Sequence, residues 1–316
     1  MHRTMSRTIA AALAALVSAA GAAQAQQPPQ QITILSGPQG GSWYGMGGGL
    51  ADLFADAGVR ANAEVGGGIS NLISVARGMG ELAFSMSIVP RMGELGMEPF
   101  PEKVTGISAL GRLAENKVHI VVSKDSGVTA VTDLAGQAFA SQPVGNVTTE
   151  AFKAVLAANN LGEDDLEITR GGQGYGASEM KDRRIVGFTA TTNPPSPAFA
   201  DVAQNLDVRF LPLDEATFAA MKAENPGFTR AEIPAGSYRG QDDAVPTAGT
   251  DLILVVSQTM SEDEAYWMTK TLAENIDRLR NLHGSLRDLD LDYMASVEGL
   301  ELHPGARRYY EEAGVL

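Results

Sequence analysis

The chain has no cysteine. Disulfides, thiolate nucleophiles and cysteine-bound zinc are therefore excluded, and so is a lipoprotein anchored through a cysteine. Histidine is scarce, four residues in 316, and none are clustered at metal-ligand spacing, so no metal site and no cofactor are expected. Neither GxSxG nor HExxH occurs, which removes the common serine-hydrolase and zinc-protease patterns. Positive charge is in the minority, with 24 Lys and Arg against 38 Asp and Glu and a net charge of −14. Such a surface repels phosphate backbones and argues against a nucleic-acid partner. Past the amino-terminal segment no run of about 20 apolar residues occurs, so direct membrane insertion is not expected.

What is present is enough for a packed core: 44% hydrophobic and only 20% charged residues, at a length suited to two domains. Residues 1–25 stand apart. Arg3 and Arg7 precede an alanine-rich apolar stretch over 8–23, and Ala23-Gln24-Ala25 is a small-x-small cleavage pattern. This reads as a secretory signal peptide, with Gln26 as the first mature residue and the periplasm as the destination. Loss of Arg3 and Arg7 takes the net charge from −14 to −16.

Strand and helix patterns alternate along the rest. Apolar runs at 32–35, 59–65, 81–87 and 118–123 read as strands, with helices over 42–57 and 70–77 between them. A second round begins near 124, with strands at 137–140, 185–191 and 208–212 and a helix over 147–159. Another long apolar strand covers 250–256. Ser261 and Glu264 form a capping box ahead of a helix whose Ala265, Met268, Leu272, Ile276 and Leu279 make one apolar stripe, and 303–314 ends the chain as a helix. Alternation of this kind predicts an α/β fold with mostly parallel sheets.

Three polar or glycine-rich turns sit between a strand and a helix. They are Gly37-Pro38-Gln39-Gly40-Gly41-Ser42-Trp43-Tyr44, Gly66-Gly67-Gly68-Ile69-Ser70-Asn71 and Gln142-Pro143-Val144-Gly145-Asn146-Val147-Thr148-Thr149. Turns at the carboxyl ends of parallel strands border the crevice where open α/β sheets bind ligands, and helix starts offer N–H groups to an anion. None matches the dinucleotide or P-loop pattern. Each also has a plainer reading: a tight turn, with Ser42, Asn146 or Thr148 as ordinary helix caps and Trp43 and Tyr44 as core. His119 in an apolar strand, His283 at a helix end and His303 before Pro304 read as structural.

With those motifs in view, the chain resembles the TAXI subfamily (TRAP-associated extracytoplasmic immunogenic protein) of TRAP-transporter solute receptors. The resemblance rests on Gly40 to Tyr44, on the Gly66–Asn71 turn, on Gly80-Glu81-Leu82-Ala83-Phe84 and on His119 through Gly127. Val131 through Gly136, Ile233 through Asp242 with Val245-Pro246-Thr247, and His303 through Tyr310 complete it. It implies a two-lobed periplasmic binding protein, type II-like, whose two mostly parallel sheets are joined by crossing hinge strands. Lobe 1 is expected from 26–123 plus 246–316 and lobe 2 from 124–245, with 118–123 and 250–256 as the crossing strands. Such a receptor binds a small carboxylate-containing solute and hands it to TRAP membrane permease subunits driven by an ion gradient. Where relatives carry Ser in the second turn and Gln-Ser-Asp after the third strand, this chain has Gly68 and Met86-Ser87-Ile88. The missing acid argues for an organic acid without an amino group.

The expected ligand-binding residues are Ser42, Trp43, Tyr44, Gly68, Asn71 and Ser87 from lobe 1 and Asn146, Thr148, Gln173, Thr191 and Thr192 from lobe 2. Tyr44 or Trp43 would wall the ligand, the helix-start amides near Gly41, Gly68 and Val147 would hold a carboxylate, and Asn71 and Asn146 would orient its oxygens. Arg91 or Arg170 are candidates for a formal positive charge. No catalytic residue is expected. The alternatives are a periplasmic solute sensor or scaffold subunit and, further off, an exported two-domain enzyme.

Overall fold

The computed structural model describes residues 28–37 and 42–316. The expected signal peptide and its cleavage pattern lie outside the described residues, as do Gly40 and Gly41. Strands β1 (Gln31–Leu35), β2 (Arg60–Glu64) and β3 (Leu82–Met86) are joined through helices α1 (Ser42–Asp56) and α2 (Gly68–Ala76). They pair in parallel in the order β2-β1-β3. A second wing repeats the plan. Strands β5 (Ala138–Ser141), β6 (Glu167–Arg170) and β7 (Gly187–Thr192), with α4 (Val147–Ala158) and α5 (Gln173–Lys181) between them, pair in parallel in the order β6-β5-β7. Helix α3 (Val89–Leu95) follows β3.

Two long strands connect the wings. β4 (Ile107–Ser123) and β10 (Val245–Ser257) run antiparallel, Ser257 opposite Ile107 and Gly249 opposite Lys117. Each then changes partner. β4 leaves β10 at Lys117 and continues beside β7 and β8 (Val208–Phe210), whereas the amino-terminal half of β10 pairs with β9 (Phe228–Ile233) and its other half with β3. The expected crossing strands at 118–123 and 250–256 are thus the ends of longer elements. The two expected parallel units are present as the two wings, and the crossing strands join them. Among the described residues all ten strands belong to one hydrogen-bonded sheet, parallel in the wings and antiparallel where β4 and β10 cross.

Packing follows this plan. On the first wing, Ile32, Leu50, Phe84, Leu252, Leu272 and Tyr310 share one apolar cluster, so the carboxyl-terminal helices α8 (Glu262–Glu274) and α11 (Pro304–Glu312) cover the amino-terminal strands. The stripe expected to continue through Ile276 breaks at Asn275, and α9 (Ile276–Leu282) starts afresh. A second cluster joins Leu72, Val89 and Met92 of the first wing to Phe139, Phe152 and Phe218 of the second. Helices α6 (Pro197–Asn205) and α7 (Glu215–Glu224) complete the second wing, and α10 (Leu291–Ala295) packs under β4.

A buried ion pair marks the crossing. Asp251 is fully buried, and Arg112 Nη2 approaches its Oδ1 at 2.9 Å with its guanidinium 4.0 Å from the Tyr293 ring centre. The pair is close but not aligned as a hydrogen bond, and both Asp251 oxygens lack a hydrogen-bond donor among the described residues. Burial pushes the Asp251 carboxyl up to about 7 against the opposing pull of Arg112.

His119 occupies an aromatic box in the second wing. Its ring stacks on Phe199 with centroids 4.8 Å apart and meets Phe210 and Tyr238 edge-on. Nδ1 donates to the Lys117 carbonyl at 2.8 Å, so Nε2 accepts from the Tyr238 hydroxyl at 3.0 Å. Tyr238 belongs to the most specific of the sequence motifs. Gln241 of the same motif donates to the carbonyls of Ile233, Pro234 and Asp243. That motif closes the β9–β10 loop onto the second-wing core.

Burial holds the His119 ring well below its usual range, at about 4 instead of 6.5. The unfolded chain therefore binds the extra proton first as pH falls. His119 contributes its full stability above pH 6.5, and loses it between 6.5 and 4. The shift corresponds to about 3 kcal/mol. Urea unfolding at pH 7 and pH 4 should show wild type losing about that much more than His119→Phe, which keeps a ring but cannot titrate.

Candidate functional site

The carboxyl ends of β1, β2 and β3 point the same way because the strands are parallel, as do those of β5, β6 and β7. All three turns singled out in the sequence follow such an end. Helix α2 starts at Gly68 on the first wing and α4 at Val147 on the second. The two starts meet: a methyl group in place of a Gly68 hydrogen would lie 3.5 Å from Val147 Cγ2 and 3.7 Å from the Trp43 ring. Those distances are ordinary van der Waals contacts, so the two helix starts lie one side-chain contact apart. Nearby, Gly145 of the second wing faces Pro99 of the first.

Trp43 is half-buried and stacks on Phe84 with centroids 5.9 Å apart. Its ring lies beside Gly68. Tyr44, on the same first turn of α1, is 39% exposed, and Ser42 is exposed. On the opposite wall, Asn146 caps α4 by accepting from the Thr148 amide at 2.8 Å, and Thr148 Oγ1 accepts from the Thr191 amide at 3.0 Å. Thr148 so ties the start of α4 to the end of β7, where Thr191 and half-buried Thr192 lie.

Several side chains expected to face a ligand are committed to the scaffold. Asn71 is buried, and its amide donates to the carbonyls of Leu35, Ser36 and Phe84 while its oxygen accepts from Gly67. It clasps the ends of β1 and β3 to the second turn, so orienting ligand oxygens is not the role its contacts give it. Asn146 is likewise occupied as a cap. Ser87 is fully buried, donating to Gly227 O at 2.6 Å and accepting from the Asp251 amide at 2.9 Å. It pins β3 to β10 and to the segment before β9. Gly227 is required there, since a side chain would place Cβ 2.1 Å from Ser87 O. Gln173, at the start of α5, accepts from Ser196 at 2.9 Å and lies on the β6–β7 side of the second wing. Arg91 pairs with Glu94 and Arg170 with Glu163, so neither cation is free.

Sequence reasoning missed three hydroxyl groups at the carboxyl ends of the second wing, or read them only in part. Ser141 Oγ at the end of β5, Thr169 Oγ1 in β6 and Thr191 Oγ1 in β7 are buried with no partner among the described residues. Buried hydroxyls are nearly always bonded, so three orphans on neighbouring strands call for a partner. The signal was available in the position of Ser141, directly ahead of the Gln142 turn.

Among the described residues no group of three metal-ligating side chains is found. His283 Nδ1 lies 2.8 Å from Ser285 Oγ, but the pair is exposed, two residues apart and caps a short turn. His303 caps α11 through its Nδ1. No helix of the described residues is long and apolar enough to cross a membrane.

Parallel wings joined by two crossing antiparallel strands, with a crevice between helix starts, define the periplasmic-binding-protein fold. The chain belongs to the NMT1-like family, whose model it matches over residues 34–314. Among solved structures it is similar to XAC2383 from Xanthomonas citri, solved with bound chloride ion, at 13% identity and a TM-score of 0.51 over 91% of this chain and 98% of that one. The periplasmic aliphatic sulphonate binding protein SsuA from Escherichia coli aligns at 15% identity and a TM-score of 0.49, covering 90% of this chain and 83% of that chain. A putative L-cystine ABC transporter protein from Listeria monocytogenes aligns at 14% and 0.49, over 82% and 97%.

Replacing Asn71 with Ala would remove four hydrogen bonds from a buried place. A loss of about 2–3 kcal/mol is expected, read as a lower urea midpoint with an unchanged slope.

Proposed function

We propose that the protein is an extracytoplasmic solute receptor that closes around a small organic acid and passes it to a membrane permease. The observation that carries this reading is the meeting of two helix starts, Gly68 from one wing and Val147 from the other, over the Trp43 ring. An acid placed there is held by groups from both wings, so its binding favours the closed arrangement. The wings act as two lobes, 26–123 with 246–316 and 124–245, with β4 and β10 as the hinge. Ser141 and Thr191 supply hydroxyl donors, and Trp43 with Tyr44 walls the apolar side. Where the TAXI relatives carry Gln-Ser-Asp after the third strand this chain has Met86-Ser87-Ile88, which disfavours an ammonium-bearing solute.

The TAXI resemblance supports a TRAP permease as the partner, and the expected signal peptide supports the periplasm as the compartment. The capped or scaffold-bound histidines support binding without turnover.

A thermal-shift screen of the mature protein against organic acids and amino acids tests the reading. A ligand at 100 times its dissociation constant adds about 2.7 kcal/mol, which raises the melting point by roughly 5–10 °C at this chain length. An organic acid giving that shift and recovered unchanged is the expected result. Shifts confined to amino acids would remove the organic-acid assignment, and chemical conversion of the compound would replace the receptor by an enzyme.

A further inference from the structure

The crossing of β4 and β10 carries a polar cluster with no part in the proposed receptor site. Asp251, fully buried, sits between Thr250, the last residue of β10 paired with β9, and Leu252, the first paired with β3. Glu115 lies opposite it on β4, and Arg112 Nη2 approaches both acids, at 2.9 Å from Asp251 and 3.9 Å from Glu115. Five buried atoms of this group have no hydrogen-bond partner among the described residues: both Asp251 oxygens, Arg112 Nε, the Tyr293 hydroxyl and Thr229 Oγ1. Thr229 belongs with the others, because a methyl group added at Gly249 would lie 2.4 Å from its Oγ1 and 3.1 Å from Glu115 Oε1. Buried polar atoms are nearly always bonded, so five stranded together make this arrangement a costly one.

Both wings contribute to the cluster. Thr229 comes from β9, and Lys222 of α7 reaches across to pair with Glu298, just past α10. A cavity of 200 Å³ borders the cluster at Glu115 and Tyr293 and is lined as well by Lys117, Asp288 and, past the end of β7, Asn193. It has room for several water molecules. The charged and titratable groups facing Asp251 are Arg112 and Glu115 from β4 and Tyr293 and Glu298 from α10 and the turn after it. Lys117 is paired with Glu115. From β3 comes only Ser87, which bonds the Asp251 amide, and Arg230 of β9 is paired at the surface with Glu215.

We infer that Asp251 is a proton-operated latch on the hinge: its neutral form fits the wings held together, and its charged form favours the wings apart, with water reaching the cluster through the cavity. Such a latch requires of the proposed function only that the wings move about β4 and β10, whatever the crevice binds. The proton is exchanged with solvent.

Burial, opposed by Arg112 and reinforced by Glu115 and Glu298, lifts the Asp251 carboxyl from 3.8 to about 7 while the wings are together. Once water reaches it, the group ionises at lower pH. The wings-together form therefore holds the proton more tightly and is favoured in acid. It loses ground as pH rises, until about pH 7, beyond which both forms are ionised. One such group shifts the equilibrium by up to about tenfold per pH unit.

Absence of native cysteine makes the test direct. Val65→Cys and Val144→Cys, at exposed positions on the first and second wing, place one spin label on each. Electron–electron double resonance then reads the distance between them in the mature protein without ligand, from pH 5 to pH 9. A longer-distance population should grow from pH 5 and level off near pH 7. In Asp251→Asn, neutral at every pH, the short distance should persist throughout. In Glu115→Gln, which removes a negative charge facing Asp251, the levelling-off should move to lower pH. A distance distribution that ignores pH overturns the latch and leaves the receptor reading, tested by its own ligand screen, standing. A pH response that persists unchanged in Asp251→Asn overturns it too, by assigning the titration to another group. Should that variant fail to fold, an unmoved profile in Glu115→Gln has the same force.

Discussion

The rest of the molecule depends on the antiparallel pairing of β4 with β10. Each strand is too long for either wing alone, and each exchanges partners near its middle, β4 at Lys117 and β10 at Gly249–Thr250. Backbone hydrogen bonds thus run unbroken from β2 to β6 while the strands on either side remain parallel. The same crossing sets the relation between the two helix starts. Ser87 bridges Gly227 and Asp251, Asn225 reaches Ile88 O, and a side chain is shut out at Gly227 by the Ser87 backbone and at Gly299 (φ +75°) by Gly227. Small residues and hydroxyls gather where three backbones converge.

Much of the wing architecture was legible, because the apolar runs at 32–35, 82–86 and 250–256 are short, continuous and bounded by turn residues. The first two-thirds of β4 was not. Arg112, Glu115, Asn116 and Lys117 interrupt its apolar pattern, and only the fold reveals that Arg112 serves buried Asp251 and that Lys117 pairs with Glu115. Edge strand β6, with exposed Glu167 and Arg170 at its ends, gives a similarly weak signal. For the site, glycine-rich turns pointed to the correct ends of the strands, because φ freedom and close approach leave a mark in sequence. Which polar side chain faces inward did not. Asn71 and Ser87 are of a type that binds ligands, yet their bonds go to main-chain groups up to 164 residues away. Such long-range satisfaction has no local signature.

The crevice is chemically spare. It holds an indole stacked on a phenylalanine, two helix starts and unsatisfied hydroxyls. None of these groups carries a charge. The titrating groups lie elsewhere and oppose one another. His119 is held neutral in its aromatic box, whereas the Asp251 carboxyl is pushed toward protonation at the crossing.

The partner exchange of β10 also orders the events of folding. β3 is complete by Met86, yet its neighbour β10 supplies Leu252–Val255, more than 160 residues later. The parallel pairs of the second wing close within 138–192. Contacts of long sequence separation form slowly, and on a chain emerging from its amino end they cannot form until the later partner exists. The first wing, although its strands come first, is the last to be sealed. Until β10 arrives, the apolar face of β3 at Ala83 and Phe84 is an open edge that must be kept from pairing with anything else.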